Sequence, residues 1–128
     1  MIVIRGITSL SHSEIRKQIE TMDAVVVDVS EVSSLQQVKL AEHLAKKAFA
    51  AKKNIAKKLK YEFLLLLSGK NDLASAFKQL NPKGNKFFVI IFSGKKETVM
   101  RALGACEIKL GLENNADQLV LESISLSR

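Results

Sequence analysis

Two apolar segments that end in the same short motif, Ser-Gly-Lys, dominate the hydrophobic pattern of this chain. Residues 63–70 read FLLLLSGK, and residues 88–95 read FVIIFSGK. Neither run alternates apolar with polar residues, so each predicts a strand that is covered on both faces. In both cases Ser-Gly-Lys leads into a helix-like stretch, which predicts two similar strand-to-helix corners. Glycine permits the tight backbone that such corners need.

Weaker patterns predict the remaining elements. Apolar and β-branched runs predict strands, and apolar residues at helical spacing behind Ser, Asn or Asp caps predict helices. The predicted strands cover residues 1–7, 24–29, 62–68, 86–92 and 106–111. The predicted helices cover residues 11–22, 35–52, 55–60, 72–80, 96–103 and 116–124. The short helix at 55–60 is expected to turn Ile55, Ala56 and Leu59 inward and to keep Lys57, Lys58 and Lys60 outside.

Strands therefore alternate with helices, and no Gly-, Ser- or Pro-rich linker divides the 128 residues. This pattern predicts one layered domain of the α/β or α+β class that spans residues 1–128. The pattern alone leaves the order and direction of the strands open.

The chain carries a net charge of +7, and its excess positive charge lies in the middle. Residues 46–96 hold 13 basic and 2 acidic side chains, whereas the segments on either side are slightly acidic. Such a concentration predicts an anionic partner, and a lysine-rich solvated surface is the alternative interpretation. The stretch from Lys46 to Lys60 has seven lysines, no arginine and no acid. Lysine supplies point charge, so contact with a phosphate backbone is its natural use here.

The composition argues against several other classes of function. The longest apolar run, FFVIIF at residues 87–92, is too short to span a bilayer, so we expect no membrane segment. A single cysteine, Cys106, and two distant histidines give no metal-ligand spacing, so we expect neither a metal nor another cofactor. The start of the chain has no signal-peptide pattern, which together with the single cysteine predicts a cytoplasmic protein.

Catalytic motifs are also missing from the sequence. Each Ser-Gly-Lys corner has one glycine and lacks the Gly-x-x-x-x-Gly-Lys-Ser/Thr spacing of a phosphate-binding loop. There is no Gly-x-Ser-x-Gly elbow and no histidine beside a candidate nucleophile. Asp28, at the end of a predicted strand, has the position of a turn or cap residue. We therefore expect a domain that is not an enzyme, in which the corners are either plain turns or phosphate contacts.

Several short motifs in a fixed order carry a family resemblance. Residues 40–77 contain Asn54-Ile55-Ala56, then Glu62 ahead of an apolar run, then Ser68-Gly69 and an early Leu73 in the next helix. This order resembles the smallest regulatory subunit of the KEOPS complex, a family also called the PRPK-binding proteins.

The resemblance covers about residues 1–104, and the chain departs from the family pattern in two places. Where the family commonly has Arg-Gln-Ile after Ser-Gly, this chain has Lys70-Asn71-Asp72-Leu73. Residues 105–128 match poorly, so contacts that the family makes through its C-terminus do not transfer directly.

The resemblance implies a fold and a role that composition does not supply. The implied fold is a mixed, mainly antiparallel sheet flanked by several helices. Family members bind the small atypical kinase/ATPase of the complex and capture the single-stranded CCA tail of tRNA. In this way they help the complex to install threonylcarbamoyl adenosine (t6A) in tRNA.

Carried over to this chain, the resemblance implies a set of binding residues. The lysines expected to contact phosphates are Lys46, Lys52, Lys53, Lys57 and Lys70. The groups expected to hold the terminal nucleotides are Asn54, Ser68 and Gly69, with Leu73 as an apolar wall and with Ser93 and Lys95 on the other side. For the kinase, the candidates are Leu119, Val120 and Ile124 on the predicted helix at 116–124, with packing against the protein's own core as the alternative.

Two other functions remain open at this point. One is a general RNA-binding module of the ribosome-associated type, which would use the same basic surface at residues 46–96 without a CCA pocket. The other is a small phosphotransferase or nucleotide-binding enzyme that uses Ser-Gly-Lys.

Overall fold

The computed structural model describes residues 1–111, which divide between two compact units. We call the first the sheet unit; it comprises Met1–Glu31 and Asn81–Gly111. The described part of the second, which we call the helical unit, is Val32–Leu80. Sheet and helices together confirm the α+β class. The assignment of residues 1–128 to one domain stays a prediction.

The described residues contain four strands and five α-helices. The strands are β1 (Ile2–Thr8), β2 (Ala24–Asp28), β3 (Lys86–Ile91) and β4 (Ala105–Ile108). The helices are α1 (His12–Glu20), α2 (Leu35–Ala50), α3 (Leu59–Ser68), α4 (Leu73–Leu80) and α5 (Lys96–Ala102), and a 3₁₀ turn covers Val29–Glu31. Among residues 1–111, no helix combines the length and the apolar character needed to cross a membrane.

The four strands form one sheet in the order β2-β3-β1-β4, and every pairing is antiparallel. Val89 in β3 lies opposite Ile4 in β1 on one side and opposite Val26 in β2 on the other. All five residues from Phe87 to Ile91 are buried, as expected for a central strand covered on both faces. The predictions of a strand at 86–92 and of a short edge strand within 106–111 are confirmed, and the edge strand covers Ala105–Ile108.

The core of the sheet unit lies where α1 and α5 pack against one face of the sheet. Ile15 from α1 and Val99 and Met100 from α5 join Ile4 and Val89 in one apolar cluster. Ser11 caps α1 by accepting the N–H of Glu14 at 3.3 Å, so the predicted start of this helix is confirmed.

The predicted strand at residues 62–68 is wrong, because this segment belongs to the ten-residue helix α3. Phe63, Leu64, Leu65, Leu66 and Leu67 are all buried, so the helix is apolar on every side. A helix that is buried all round shows no 3.6-residue period and resembles a buried strand in sequence. The first Ser-Gly-Lys corner therefore ends a helix, whereas the second follows a strand.

The predicted short helix at residues 55–60 is also wrong. Residues 54–58 are irregular, and α3 begins only at Leu59. Lys57 and Lys58 are exposed as expected, but Lys60 is only 2% exposed and its ammonium lies 5.1 Å from the ring centroid of Tyr61. The segment that carries the basic run is thus a loop that enters a buried helix.

Asp28 is a turn residue, in agreement with the interpretation of the sequence. Its side chain accepts the N–H and the hydroxyl of Ser30 and, at 3.0 Å, the N–H of Lys83. Burial raises the pKa of Asp28, but the hydrogen bonds from Ser30 and Lys83 outweigh this and hold the pKa below its ordinary value. The charged form of Asp28 therefore ties the end of β2 to the loop before β3.

Replacing Asp28 by Asn should lower the free energy of unfolding at neutral pH by about 1–2 kcal/mol, because an amide cannot accept all these bonds. The folded pKa of Asp28 is depressed, so its stabilisation is present above the unfolded pKa and is lost as the pH falls through the folded pKa. The difference between wild type and Asp28→Asn should therefore shrink in acid. Urea unfolding at a series of pH values measures it. A difference independent of pH, or an equal loss in the exposed control Glu97→Gln, would contradict this account.

Candidate functional site

Within residues 1–111, the helical unit carries more than half of the exposed basic side chains. Residues 32–80 contain ten lysines, no arginine and three carboxylates, which gives a net charge of +7. Every lysine of this segment except Lys60 is exposed; these are Lys39, Lys46, Lys47, Lys52, Lys53, Lys57, Lys58, Lys70 and Lys78.

The three carboxylates of residues 32–80 are each engaged locally. Glu42 lies 3.7 Å from the ammonium of Lys46, one turn later in α2. Asp72 caps α4 by accepting the N–H of Ser75 at 2.9 Å, a hydrogen bond that lowers the pKa of Asp72. Glu62 is 0% exposed and lies inside the unit. Within residues 32–80, little negative charge therefore remains to compensate the lysines.

Helix α2 ends in a backbone motif that places two of these lysines. The N–H of Lys52 donates to the carbonyl of Phe49 at 3.1 Å, and the N–H of Lys53 donates to that of Ala48 at 2.8 Å. This is the Schellman pattern, in which the residue after the helix adopts the left-handed conformation and is usually glycine. Here that residue is Lys52, with a φ of 57°. A lysine thus occupies a position where glycine has less strain.

Buried Glu62 fixes the loop that follows. One carboxylate oxygen, Oε1, accepts the N–H of Ile55 at 3.0 Å and that of Ala56 at 2.9 Å. The side-chain amide of Asn54 donates to the carbonyl of Ala56 at 2.8 Å. Asn54 therefore stabilises the loop rather than capping a helix. These three hydrogen bonds give the loop a defined conformation.

The loop brings together two of the regions that the sequence analysis selected. Ala56 packs with Leu65 and Ala76 in a small apolar cluster, and Leu73 and Tyr61 pack against it. Leu73, the proposed apolar wall, is half-buried and lies beside the loop of Asn54. Ile55, which the sequence analysis did not select, is 54% exposed.

The first Ser-Gly-Lys corner uses its backbone N–H groups to end α3. Gly69 has a φ of 72°, its N–H donates to the carbonyl of Leu66, and the N–H of Lys70 donates to that of Leu65 at 3.2 Å. The hydroxyl of Ser68 donates to the same carbonyl of Leu65 at 3.1 Å. These groups are occupied within the helix end, so the cationic part of this corner is the exposed side chain of Lys70.

The second corner belongs to the sheet unit and has an acidic neighbour. Ser93 donates its hydroxyl to the carboxylate of Asp23 at 2.8 Å, Gly94 has a φ of 104°, and Lys95 is exposed. Its environment thus differs from that of the first corner. The roles of Ser93 and Lys95 in binding stay predictions.

Two features of the site escaped the sequence analysis. The sequence analysis placed Glu62 at the start of a strand. The missed signal is that Glu62 is a single acid just after a lysine-rich stretch, which indicates a carboxylate that accepts hydrogen bonds inside the fold. Ile55 was assigned an inward position because a helix was expected there. Leu119, Val120 and Ile124 lie outside the described residues.

The described geometry is that of a small cationic α+β binding protein. Among residues 1–111, no group of three or more His, Cys, Asp or Glu side chains could hold a metal ion. The chain matches the model of the family named kinase binding protein CGI-121 over residues 5–125, and it belongs to that family. This confirms the resemblance to the small regulatory subunit of KEOPS. No curated protein matches the chain.

Replacing Lys52 by Gly should raise the free energy of unfolding by about 0.5–1 kcal/mol, because glycine adopts the left-handed conformation without strain. The gain is partial, since glycine also adds entropy to the unfolded chain. Thermal and urea unfolding measure it. The matched control is Lys53→Gly, the next exposed lysine, whose φ is not positive; it should lower stability. Equal effects of the two variants would contradict the assignment of strain to Lys52.

Proposed function

We propose that this protein is a non-catalytic subunit of a KEOPS-like complex that binds the CCA tail of tRNA and the small kinase/ATPase of the complex. In this role it promotes the t6A modification of tRNA in the cytoplasm, while another subunit performs the reaction. The family supports the kinase-binding, regulatory part of this proposal. The RNA-binding part is supported by the charge distribution of the helical unit.

One observation carries the RNA-binding proposal. Residues 32–80 contain nine exposed lysines and three carboxylates. Glu42 forms an ion pair, buried Glu62 accepts backbone N–H groups of the loop, and Asp72 caps α4. Lysine ammonium groups bind phosphates without reading bases, so this surface favours a nucleic-acid backbone. In the helical unit, the residues that we propose to bind RNA are Lys46, Lys52, Lys53, Asn54, Lys57, Ser68, Gly69, Lys70 and Leu73. In the sheet unit, we separately propose RNA contacts by Ser93 and Lys95.

An unpaired RNA end fits this surface better than a duplex. The fixed loop of Asn54 and the half-buried Leu73 lie side by side, so polar backbone groups and apolar surface are available next to the lysines. Single-stranded nucleotides expose base faces and edges that such a mixed surface can contact, whereas a duplex mainly presents phosphates. A general RNA-binding module would use the lysines alone.

The isolated protein should bind intact tRNA at least about tenfold more tightly than the same tRNA without its CCA tail, because the tail supplies base contacts as well as phosphates. Lys52→Glu with Lys53→Glu should weaken binding and reduce the salt slope of log K by about 1.5. Fluorescence anisotropy over a salt series measures both.

A double variant of equal charge, Lys39→Glu with Lys78→Glu, is the matched control for this experiment, since both lysines are exposed in the same unit but lie outside the proposed site. Equal affinity for tRNA with and without its CCA tail, at the same salt concentration, would favour the general RNA-binding module. Equal losses in the two double variants would show that net charge, and not the proposed site, governs binding.

For the kinase, we propose contacts through Leu119, Val120 and Ile124. Replacing all three by Glu in the full chain should weaken binding of the kinase at least about tenfold, since interface core positions tolerate charge poorly. Unfolding curves and tRNA affinity of the same variant serve as controls for its fold. A folded variant with unchanged kinase binding would place the contact surface elsewhere.

A further inference from the structure

The side chain of Arg5 is poorly satisfied inside the sheet unit. Arg5 lies in the middle of β1, opposite Phe88 in β3 and opposite Ile108 in β4. Its guanidinium carbon lies 5.8 Å from the ring centroid of Phe88. Its Nε atom is buried and has no hydrogen-bond partner within residues 1–111. A buried donor without an acceptor is unfavourable and rare in folded proteins, so this arginine needs an explanation.

Arg5 belongs to the face of the sheet opposite α1 and α5. Side chains alternate along a strand, and its neighbour Ile4 packs in the core with α1 and α5. On the β2–β3 half of Arg5's face, Val27 and Phe88 are buried. The β1–β4 half is accessible: its half-buried residues are Val3, Arg5, Ile7 and Ile108, and its exposed ones are Lys86 and Cys106. This half therefore presents an arginine among apolar side chains.

No acid of the described strands shares this face with Arg5. The four strands contain two carboxylates, Asp28 and Glu107. Asp28 lies opposite Phe87, which packs in the core with α1 and α5, and its carboxylate accepts the N–H groups of the adjoining turns. Glu107 lies opposite Gly6, on that same face, and pairs with Lys96 of α5. The charge of Arg5 is therefore uncompensated within its own sheet.

We propose that the β1–β4 half of this face is a contact surface for the kinase, and that Arg5 receives a carboxylate of the kinase that is surrounded by apolar residues. Nε gives up no hydrogen bond when the guanidinium turns toward such a partner, and Nε and Nη together can hold both carboxylate oxygens. This inference rests on the proposed kinase-binding role. It adds a contact in a different part of the chain from Leu119, Val120 and Ile124.

The composition of this surface favours a protein over a nucleic acid. Arginine among apolar residues is typical of the centre of a protein interface, where lysine is depleted. A phosphate backbone is bound by several exposed cations, as in the lysine-rich segment of the helical unit. One half-buried arginine with half-buried apolar neighbours instead matches a single carboxylate on an apolar surface.

The first test compares wild type with Arg5→Met, which removes the charge and keeps a long apolar side chain. Titration calorimetry should show that the variant binds the kinase at least about tenfold more weakly, because a paired charge is lost from an interface. Arg5→Lys keeps the charge without the paired hydrogen bonds, so it should recover only part of the affinity. The matched control is Arg16→Met, an exposed arginine of α1, which should bind like wild type.

Two further measurements on Arg5→Met separate kinase binding from other roles. Its free energy of unfolding should equal or exceed that of wild type, because the substitution removes an unsatisfied donor from a buried position. Its affinity for tRNA should match that of Arg16→Met, which has the same net charge.

Cys106 gives an independent readout of the same surface. It is the only cysteine of the chain, it is exposed, and it lies opposite Ile7 on the face of Arg5. Because thiol reactivity depends on access, saturating kinase should slow the alkylation of Cys106 by iodoacetamide at least about fivefold. Mass spectrometry of the peptide that contains Cys106 measures this rate in wild type without any substitution.

Several results would overturn the inference. These are unchanged kinase binding by Arg5→Met, equal losses in Arg5→Met and Arg16→Met, or an unchanged alkylation rate of Cys106. Lower stability of Arg5→Met would assign Arg5 to the fold, and a selective loss of tRNA affinity would assign it to RNA; each would also overturn the inference. If wild type did not bind the kinase, the proposed kinase-binding role would fail as well. Binding by wild type and by Arg5→Met alike would leave that role intact, so the two failures are distinguishable.

Discussion

The geometry of the basic surface depends on one buried carboxylate. Glu62 is 0% exposed and accepts two consecutive backbone N–H groups, from Ile55 and Ala56. Without this acceptor the two donors would lose their partner, and leaving the buried N–H of Ala56 unsatisfied would cost about 1–3 kcal/mol. The same carboxylate connects the irregular segment 54–58 to the buried helix α3. A loop rich in like charges would otherwise be driven apart by repulsion.

The remaining acids of the helical unit follow the same principle. Glu42 pairs with Lys46 in α2 and Asp72 caps α4, so both carboxylates support local structure, and within residues 32–80 the nine exposed lysines outnumber the three carboxylates. A surface charge excess of this kind opposes compactness through self-repulsion and attracts polyanions. Lysine without arginine suits contact with a phosphate backbone. Its ammonium supplies charge, whereas the planar guanidinium of arginine also forms paired hydrogen bonds. Any discrimination between RNA sequences or ends must then come from neutral groups beside the lysines.

Local signals in the sequence were sufficient for the sheet unit. The strands β2 and β3 are rich in β-branched residues, and Ser11 and Gly104 mark helix ends, so the elements agree with the structure closely. The helical unit was harder because FLLLLS and FVIIFS look alike as apolar runs. The difference lies in branching at Cβ. The first run has four leucines and lies in α3, whereas the second has valine and two isoleucines and supplies the last four residues of β3.

The candidate site was predictable only in part for the same reason. Exposed lysines can be selected by counting charge, and Lys52, Lys53 and Lys57 are exposed as expected. The hydrogen bonds from Ile55 and Ala56 to Glu62 cross six or seven residues of irregular chain, and no periodic pattern encodes them. A wrong helix at 55–60 then reversed the orientation assigned to Ile55. The error in one element thus hid the exposure of Ile55 and left the charge pattern intact.

The departures from stable local structure in the helical unit concentrate in one short segment. Lys52 adopts a backbone conformation that favours glycine, Ile55 exposes more than half of its side chain, and several lysines lie together without acids. Each feature lowers stability by itself, and sites of binding are where proteins tolerate such departures. Glu62 acts in the opposite direction, because its hydrogen bonds hold this segment in place. The RNA-binding role that we propose accounts for a segment that is both unfavourable and rigidly held, because a bound polyanion would offset the repulsion among its lysines.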